Sequence, residues 1–213
     1  MTSLGIALAE VWRFEEAISA YRDAAAICRE TGDRDGEGAA LNNLGLALRE
    51  VRRFQEAISA CQDAAAIFRE TGDRHAEGLA LTNLGLALVG VRRFEEAISA
   101  HEAAAAIFRE TGDRHGEGTA LNNLGLALVE VRRFEEAIAC YEQDIAICRE
   151  TGDRYGEGQT LENLAEPYRE MGQPGRAAAC WREAAAVMRE VGELEEAAWV
   201  EQQAVNAQTG QRP

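Results

Sequence analysis

The chain has 213 residues with a formal net charge of −15 at pH 7, and 28% of its residues are charged. An excess of acid of this size disfavours binding to nucleic acids and to anionic membranes, and it favours a basic protein partner. No apolar run approaches the roughly 18 residues of a transmembrane helix. Helical sequence begins directly at Met1, so we expect neither a membrane span nor a signal peptide.

The basic residues and the cysteines indicate the setting of the protein. All 22 basic residues are arginines, which together with the abundant alanine indicates a GC-rich bacterial gene. The five cysteines form no C-x-x-C pair, so we interpret them as small apolar side chains in a reducing compartment. We expect a cytoplasmic protein without a cofactor or a bound metal.

The sequence repeats itself with a period of about forty residues. Ala40–Gly78 returns with few changes as Ala80–Gly118 and again as Ala120–Gly158. Periods of about 20–50 residues are typical of units that cannot bury an apolar face alone and therefore stack on their neighbours. This predicts a linear array in which function belongs to a long surface and not to a pocket.

The array begins within a repeat. Residues 1–8 align with Leu41–Leu48, so the first helix lacks its opening turns. We expect either a fragment of a longer repeat protein or an apolar surface left uncovered at the N-terminal end, because the ends of such arrays normally carry a polar cap. The second case predicts a homo-oligomer formed through this end.

Each repeat contains two predicted helices. Leu41, Leu44, Leu48 and Val51 recur at spacings of three and four residues, which is typical of one face of an amphipathic helix and predicts helix A. A second apolar stripe, from Phe54 to about Glu70, predicts helix B.

Turn and packing residues separate these helices. Gly72 suits the left-handed conformation that ends a helix, and the Asp73 carboxylate can accept from the first amides of the next helix A. Glycine inside helix A costs about 1 kcal/mol relative to alanine, so we interpret these glycines as points where helix B approaches through an alanine. The glycines are Gly45, Gly85 and Gly125, and the alanines are Ala57, Ala97 and Ala137.

The regular pattern weakens towards the C-terminus. Pro167 falls inside the fifth helix A, where its missing amide should kink the helix. We predict an array of about five hairpins over residues 1–192, a capping helix over residues 193–208 and a frayed tail over residues 209–213.

The spacing Leu41-x-x-Leu44-Gly45-x-x-Leu48 resembles the tetratricopeptide repeat. The period and the Leu-Asn-Asn-Leu-Gly segment are similar to its longer variant, found in kinesin light chains and in adaptors that orient the mitotic spindle. The resemblance implies an all-α fold, a right-handed α-solenoid of antiparallel helix pairs whose helices A line a concave groove. It also implies a non-catalytic scaffold that binds a peptide or protein segment in that groove.

Asparagine recurs at one position of helix A, at Asn43, Asn83, Asn123 and Asn163. In the family that the chain resembles, asparagines at this position hydrogen-bond the backbone of a bound peptide. An amide suits this task because it both donates and accepts. The alternative is a hydrogen bond between neighbouring helices that fixes their stacking.

The other predicted groove residues flank these asparagines. They occupy the preceding position of helix A and the positions one and two turns further along. We expect them to form polar contacts beside an aliphatic strip that adds selectivity, unless neighbouring repeats bury the leucines. They are Asn42, Thr82, Asn122, Leu46, Leu86, Leu126, Arg49, Val89, Val129 and Arg169.

Arginine pairs stand at the turns between helices A and B of three repeats, at Arg52-Arg53, Arg92-Arg93 and Arg132-Arg133. An acid follows each pair, as Glu56 follows the first one, which favours ion pairs on the helix surface over a phosphate site. Asp144 replaces an alanine that packs against the next helix A. We expect the edge of the helix to leave this carboxylate solvated.

The histidines predict no metal site. His75 and His115 lie a full repeat apart, too far to share a metal ion, and His101 occupies a packing position that holds Tyr21 and Tyr141 in other repeats. The sequence contains no phosphate-binding glycine loop and no nucleophile elbow, so we expect no catalysis.

Overall fold

The computed structural model describes Gly5, Ala9 and residues 13–209, with side chains up to Ala207. Regular structure in these residues is α-helical throughout. The helices are α1 Phe14–Thr31, α2 Arg34–Glu50, α3 Phe54–Thr71, α4 Arg74–Gly90, α5 Phe94–Thr111, α6 Arg114–Glu130, α7 Phe134–Thr151, α8 Arg154–Glu170, α9 Pro174–Val191 and α10 Leu194–Thr209.

The even-numbered helices are the predicted helices A, and the odd-numbered ones are helices B. Turns of two or three residues join them, so consecutive helices run antiparallel. The all-α fold with paired consecutive helices is therefore confirmed. Of the first helix A, Gly5 and Ala9 are described and are helical. The rest of that helix and the predicted tail beyond Thr209 lie outside the described residues.

The helices form two compact units, residues 1–116 and residues 117–213. In the first unit, α1 to α5 pack one on the next, and α2 also contacts α4. In the second unit, α7 packs on α8, α8 on α9, and α9 on α10. The cores are built mainly from alanine with leucine and isoleucine, which lets neighbouring helices approach closely.

The turns between repeats form as the sequence predicts. Gly72 has a φ of 83° and ends α3 in the left-handed conformation. An Asp73 carboxylate oxygen accepts from the Ala76 amide at 3.0 Å and caps α4. Asp33 and Asp153 cap α2 and α8 in the same way. Each new helix A therefore starts with one of its free amides satisfied.

The packing role of the helix-A glycines is confirmed, and the side chain nearest to each glycine is larger than the expected alanine. A β-carbon at Gly85 would collide with the His101 ring, and one at Gly125 would collide with Tyr141. At Gly45 the nearest side chain is that of Cys61. The glycines therefore make room for the larger residue one turn beyond the predicted alanine.

Asp144 corrects a second expectation, because its carboxylate is buried and not solvated. The residue is 3% exposed. One carboxylate oxygen accepts from the Thr160 hydroxyl at 2.6 Å, and the other lies 3.6 Å from Cys148 Sγ. A hydroxyl on the adjoining helix A supplies the partner that a buried carboxylate requires.

The helix α8 continues through Pro167 to Glu170, and the proline ring is buried.

Within residues 13–209, no helix combines the length and the apolar character needed to cross a bilayer.

Candidate functional site

The predicted groove residues lie on one face of α2, α4, α6 and α8, which we call the helix-A face. Most of them are half-buried, so each shows part of its side chain to solvent while the rest packs on the repeat. The half-buried members are Asn42, Asn43, Leu46, Arg49, Asn83, Leu86, Val89, Asn122, Asn123, Val129 and Asn163. Leu126 and Arg169 are exposed, and Thr82 is buried.

In the first unit, an amide pair joins α2 to α4. Asn83 Nδ2 donates to Asn42 Oδ1 at 2.9 Å. The Thr82 hydroxyl instead donates to the Gly78 carbonyl of its own helix at 3.0 Å. The hydrogen bond between Asn83 and Asn42 leaves other groups of the two amides able to bond a ligand. They are the oxygen and the second N–H of Asn83 and both N–H groups of Asn42.

In the second unit, the same pairing leads into the core. Asn163 Nδ2 donates to Asn122 Oδ1 at 3.0 Å, and Asn122 Nδ2 donates to the Thr160 hydroxyl at 3.1 Å. Thr160 is the donor to buried Asp144. A chain of hydrogen bonds therefore runs from the helix-A face to a buried carboxylate. Sequence reasoning missed this connection because Thr160 stands where other repeats have alanine.

Asn43 and Asn123 differ from these paired amides. Both are half-buried, and within the described residues neither side chain forms a hydrogen bond. Asn43 lies in the first unit and Asn123 in the second. Each unit therefore presents one amide whose donors and acceptor are open to a ligand.

Apolar side chains accompany the amides. Leu46 and Leu86 are half-buried, Leu126 is 44% exposed, and Leu79 is 42% exposed. Sequence analysis did not identify Leu79, although it lies one turn before Asn83 and therefore on the same helix face. In the first unit, the charged member of the face is Arg49, which pairs with Glu50 at 2.9 Å. That part of the face is aliphatic and nearly neutral.

The second unit carries a different set of side chains. Glu162 and Glu166 are half-buried on α8, Arg169 pairs with Glu166 at 2.5 Å, and Trp199 on α10 is 55% exposed. Sequence analysis did not select Trp199, which stands a whole number of repeats after Leu79 and occupies the same register position.

A row of buried glutamates was also missed. Glu37, Glu77 and Glu157 are at most 2% exposed, and each occupies the first turn of a helix A. Arg69 Nε donates to Glu77 at 2.8 Å, and Arg74 from the same helix as Glu77 supplies a second ion pair. The Glu-Gly pair that recurs in the first turn of these helices was the available signal. The row joins α1 to α2, α3 to α4 and α7 to α8, and each of these three buried carboxylates has an arginine partner.

The arginine pairs have two structural roles. The second arginine of each pair bonds the acid three residues later, as Arg53 Nε does with Glu56 at 2.7 Å. The first arginine lies over the following phenylalanine ring, as Arg92 does over Phe94 at 5.0 Å. The prediction of ion pairs on the helix surface is confirmed.

Two buried thiols are held in an unreactive state. Burial raises the pKa of the Cys61 and Cys148 thiols to about 12, which disfavours the nucleophilic thiolate. Among the described residues, no three histidine, cysteine or acidic side chains converge as metal ligands would.

Comparison with known proteins gives a family and several similar folds. The family model for the tetratricopeptide repeat matches in four overlapping windows, residues 1–70, 37–110, 77–150 and 116–190. No curated protein matches the sequence. The nearly identical TPR-like repeats of a Podosopora anserina protein described as a kinesin light chain have a TM-score of 0.76 and 20% identity, covering 90% of this chain and 94% of that one.

Two Rap proteins have the same fold over part of their length. The apo form of RapI has a TM-score of 0.83 at 16% identity, with coverage of 97% of this chain and 61% of RapI. A Rap protein complexed with competence and sporulation factor has a TM-score of 0.67 at 15% identity, with coverage of 98% and 63%. The present chain thus spans less than two thirds of either Rap protein.

Proposed function

The chain belongs to the tetratricopeptide repeat family, and on that premise we propose that it is a non-catalytic protein-interaction scaffold. The helix-A face of each unit binds an extended segment of a partner protein. Asn43 and Asn123 supply hydrogen bonds to the partner backbone, and Leu79, Leu86 and Leu126 supply apolar contacts.

The observation that carries this proposal is the state of Asn43 and Asn123. A half-exposed amide with no internal hydrogen bond can satisfy both an N–H and a C=O of an extended chain, whatever the side chains of that chain are. Exposed leucines beside it provide apolar area that becomes buried on binding. A fold neighbour, the Rap protein complexed with competence and sporulation factor, supports a binding role for a protein of this fold.

The paired amides have a second role in the proposal. Asn42 with Asn83, and Asn122 with Asn163, hold adjacent helices A at a fixed register. Their unused donors and acceptors extend the row of hydrogen-bonding groups. Both interpretations of the asparagines thus apply, to different members of the row.

The test uses a displayed library of linear peptides selected on the intact protein. In the variant Asn43→Ala/Asn123→Ala, we expect the selected peptides to lose about five- to ten-fold in affinity per site, since each lost hydrogen bond is worth about 1 kcal/mol. Gln55→Ala/Gln62→Ala removes two exposed amides from helix B and serves as the matched control. Equal affinity of the selected peptides for all three proteins would refute the proposal.

Ile27 favours a second candidate function, self-association. It is 46% exposed, whereas Ile67, Ile107 and Ile147 at the same repeat position are buried. A second copy that covers this side chain of α1 would produce a dimer in sedimentation velocity, and Ile27→Glu should then sediment as a monomer. Identical sedimentation of both proteins would remove this candidate.

A further inference from the structure

The helix-A face of the second unit carries an exposed tryptophan. Trp199 occupies the register position of Ala39, Leu79, Thr119 and Gln159 in the preceding repeats. A side chain of this size that leaves 55% of its surface in water has strong potential for contact with a partner. Tryptophan is also the best aromatic face for a cation.

Glu162 lies beside this tryptophan by register. In both amide pairs a helix-A residue contacts the residue 41 positions later, Asn42 with Asn83 and Asn122 with Asn163. The same register places Gln203 beside Glu162, and Trp199 lies one turn before Gln203 on the same side of α10. We therefore expect Glu162 and Trp199 to be neighbours, and the effect of the Glu196 charge on Glu162 agrees with this placement.

Glu162 is a carboxylate without a partner. It replaces the neutral Asn42, Thr82 and Asn122 of the earlier repeats and is half-buried. Within the described residues it forms neither an ion pair nor a hydrogen bond. Burial raises its pKa, and the charge of Glu196 on α10 raises it further. Each of these effects disfavours an unpaired negative charge at this position.

Among the described residues, no basic side chain pairs with Glu162 or Glu196. The helix α10 contains no basic residue. Arg154 is engaged by Glu157 and Glu190, Arg169 by Glu166 and Glu170, and Arg189 by Glu201. The unmatched negative charge of Glu162 and Glu196 lies on the same face as Trp199.

We propose that Trp199, Glu162 and Glu196 together receive a basic side chain, arginine or lysine, of a bound protein segment. The inference rests on the proposed function and specifies the chemistry of its partner. The cation pairs with the two carboxylates, and its planar or aliphatic part covers the indole ring. An acidic segment is excluded from the same place by like-charge repulsion.

The test measures a fluorescein-labelled nonapeptide of alternating arginine and alanine by fluorescence anisotropy. We expect saturable binding of one peptide per chain. The same peptide with citrulline in place of arginine should bind at least about ten-fold more weakly, because citrulline keeps the shape and removes the charge. Trp199→Ala should weaken binding of the arginine peptide by about the same factor.

A charge-matched control separates a specific site from the general negative charge. Glu162→Gln/Glu196→Gln and Glu193→Gln/Glu195→Gln each remove two charges from the same unit, and Glu193 and Glu195 are exposed. We expect the first variant to lose about ten-fold in affinity and the second less than two-fold. Equal losses in both variants, or an absence of saturable binding, would overturn the inference.

The two proposals fail in distinguishable ways. In the first case, the library peptides bind more weakly to the asparagine variant, but the arginine peptide binds equally well with and without Glu162. This result would support the proposed function and rule out the basic-residue site. In the second case, binding of the arginine peptide requires Glu162 and Trp199, but the library peptides bind equally well without the asparagines. This result would support the basic-residue site and rule out the proposed role of the asparagines.

Discussion

At the residue scale, His101 is the most informative buried side chain. It is fully buried beneath Gly85, and neither of its ring nitrogens has a hydrogen-bond partner. Burial lowers the pKa of His101 to about 4. The imidazole is therefore neutral in the folded protein at pH 7, and it serves as an aromatic packing group at a position where tyrosine stands in other repeats.

This environment predicts a pH dependence of stability. Because the pKa of the folded state lies below the ordinary value of 6.5, the unfolded chain binds more protons. Stability should fall as the pH drops from about 6.5 to 4, by up to about 3 kcal/mol. Urea unfolding across this range checks the effect, and His101→Tyr should lack this component. A variant with the same pH profile as the natural protein would contradict this account of His101.

Arg52 shows a different local cost. It has a φ of 60°, a left-handed conformation that is unfavourable for any residue with a β-carbon, and Arg92 and Arg132 share it. Gly172 occupies the same position in the fifth repeat, with a φ of 71°. A cation–π contact with the following phenylalanine offsets part of this cost. The Arg52 guanidinium carbon lies 6.0 Å from the centre of the Phe54 ring.

Arg52→Gly should therefore stabilise the protein by about 0.5–1 kcal/mol, measured by thermal or urea unfolding. Arg52→Ala keeps the unfavourable conformation and loses the ring contact, so it should be neutral or slightly destabilising. A stability order with alanine above glycine would show that the backbone conformation is not the source of the cost.

At the scale of the element, buried glutamates join α2, α4 and α8 to the helix B that precedes each of them. Glu77 on α4 bonds Arg69 from α3 and Arg74 from its own first turn. Arg74 then reaches Glu110 on α5 at 2.9 Å. The arginines are half-exposed, whereas the carboxylate is not, so the carboxylate is the part of the network that needs its partners.

Glu77→Gln should destabilise the protein by about 2–3 kcal/mol, because it removes the charge from two charge-assisted hydrogen bonds at a buried site. Glu110→Gln alters an exposed partner of the same arginine and should cost less than about 1 kcal/mol. The comparison uses urea unfolding at constant pH. Equal losses of stability in the two variants would show that the exposed ion pairs, and not the buried carboxylate, provide the stabilisation.

The close approach of helices A and B gives a second prediction at this scale. Gly85→Ala puts a methyl group into the His101 ring and should destabilise the protein by about 1–3 kcal/mol. Gly85→Ala/His101→Ala should cost less than the sum of the two single changes, since the second change removes the collision. Strict additivity in a double-mutant cycle would show that the two residues do not share this space.

At the scale of the whole molecule, the repeat period was sufficient to predict the fold. The stripe from Phe54 to about Glu70 reproduces the observed bounds of α3 within one residue, and Asp73 stands directly before the start of α4. These features depend on neighbours in the sequence, so they are readable from it.

Contacts between helices were predicted less well. The partner of Gly85, the burial of Asp144 and the double arginine clamp on Glu77 all depend on how far one helix is shifted along the next. Periodicity gives the face of a helix but not this shift. Asn83 and Asn43 are equivalent in sequence but differ in the structure. Asn83 donates to Asn42 on the adjoining helix, whereas Asn43 forms no side-chain hydrogen bond within the described residues.

The two units also differ in the chemistry of their helix-A faces. The first unit offers leucines with one compensated arginine, whereas the second adds Glu162, Glu166 and Trp199. A repeat array can vary such exposed positions freely because the buried positions alone maintain the stacking. The account therefore assigns apolar contacts mainly to the first unit and charge recognition to the second.

The most direct measurement of the central claim is the side-chain amide NMR spectrum of the protein during titration with a library-selected peptide. The account predicts that the Asn43 and Asn123 amide signals shift and become protected from exchange with solvent, while Gln55 and Gln62 on helix B remain unchanged. Shifts confined to the helix-B amides, with those of Asn43 and Asn123 unaffected at saturation, would contradict it.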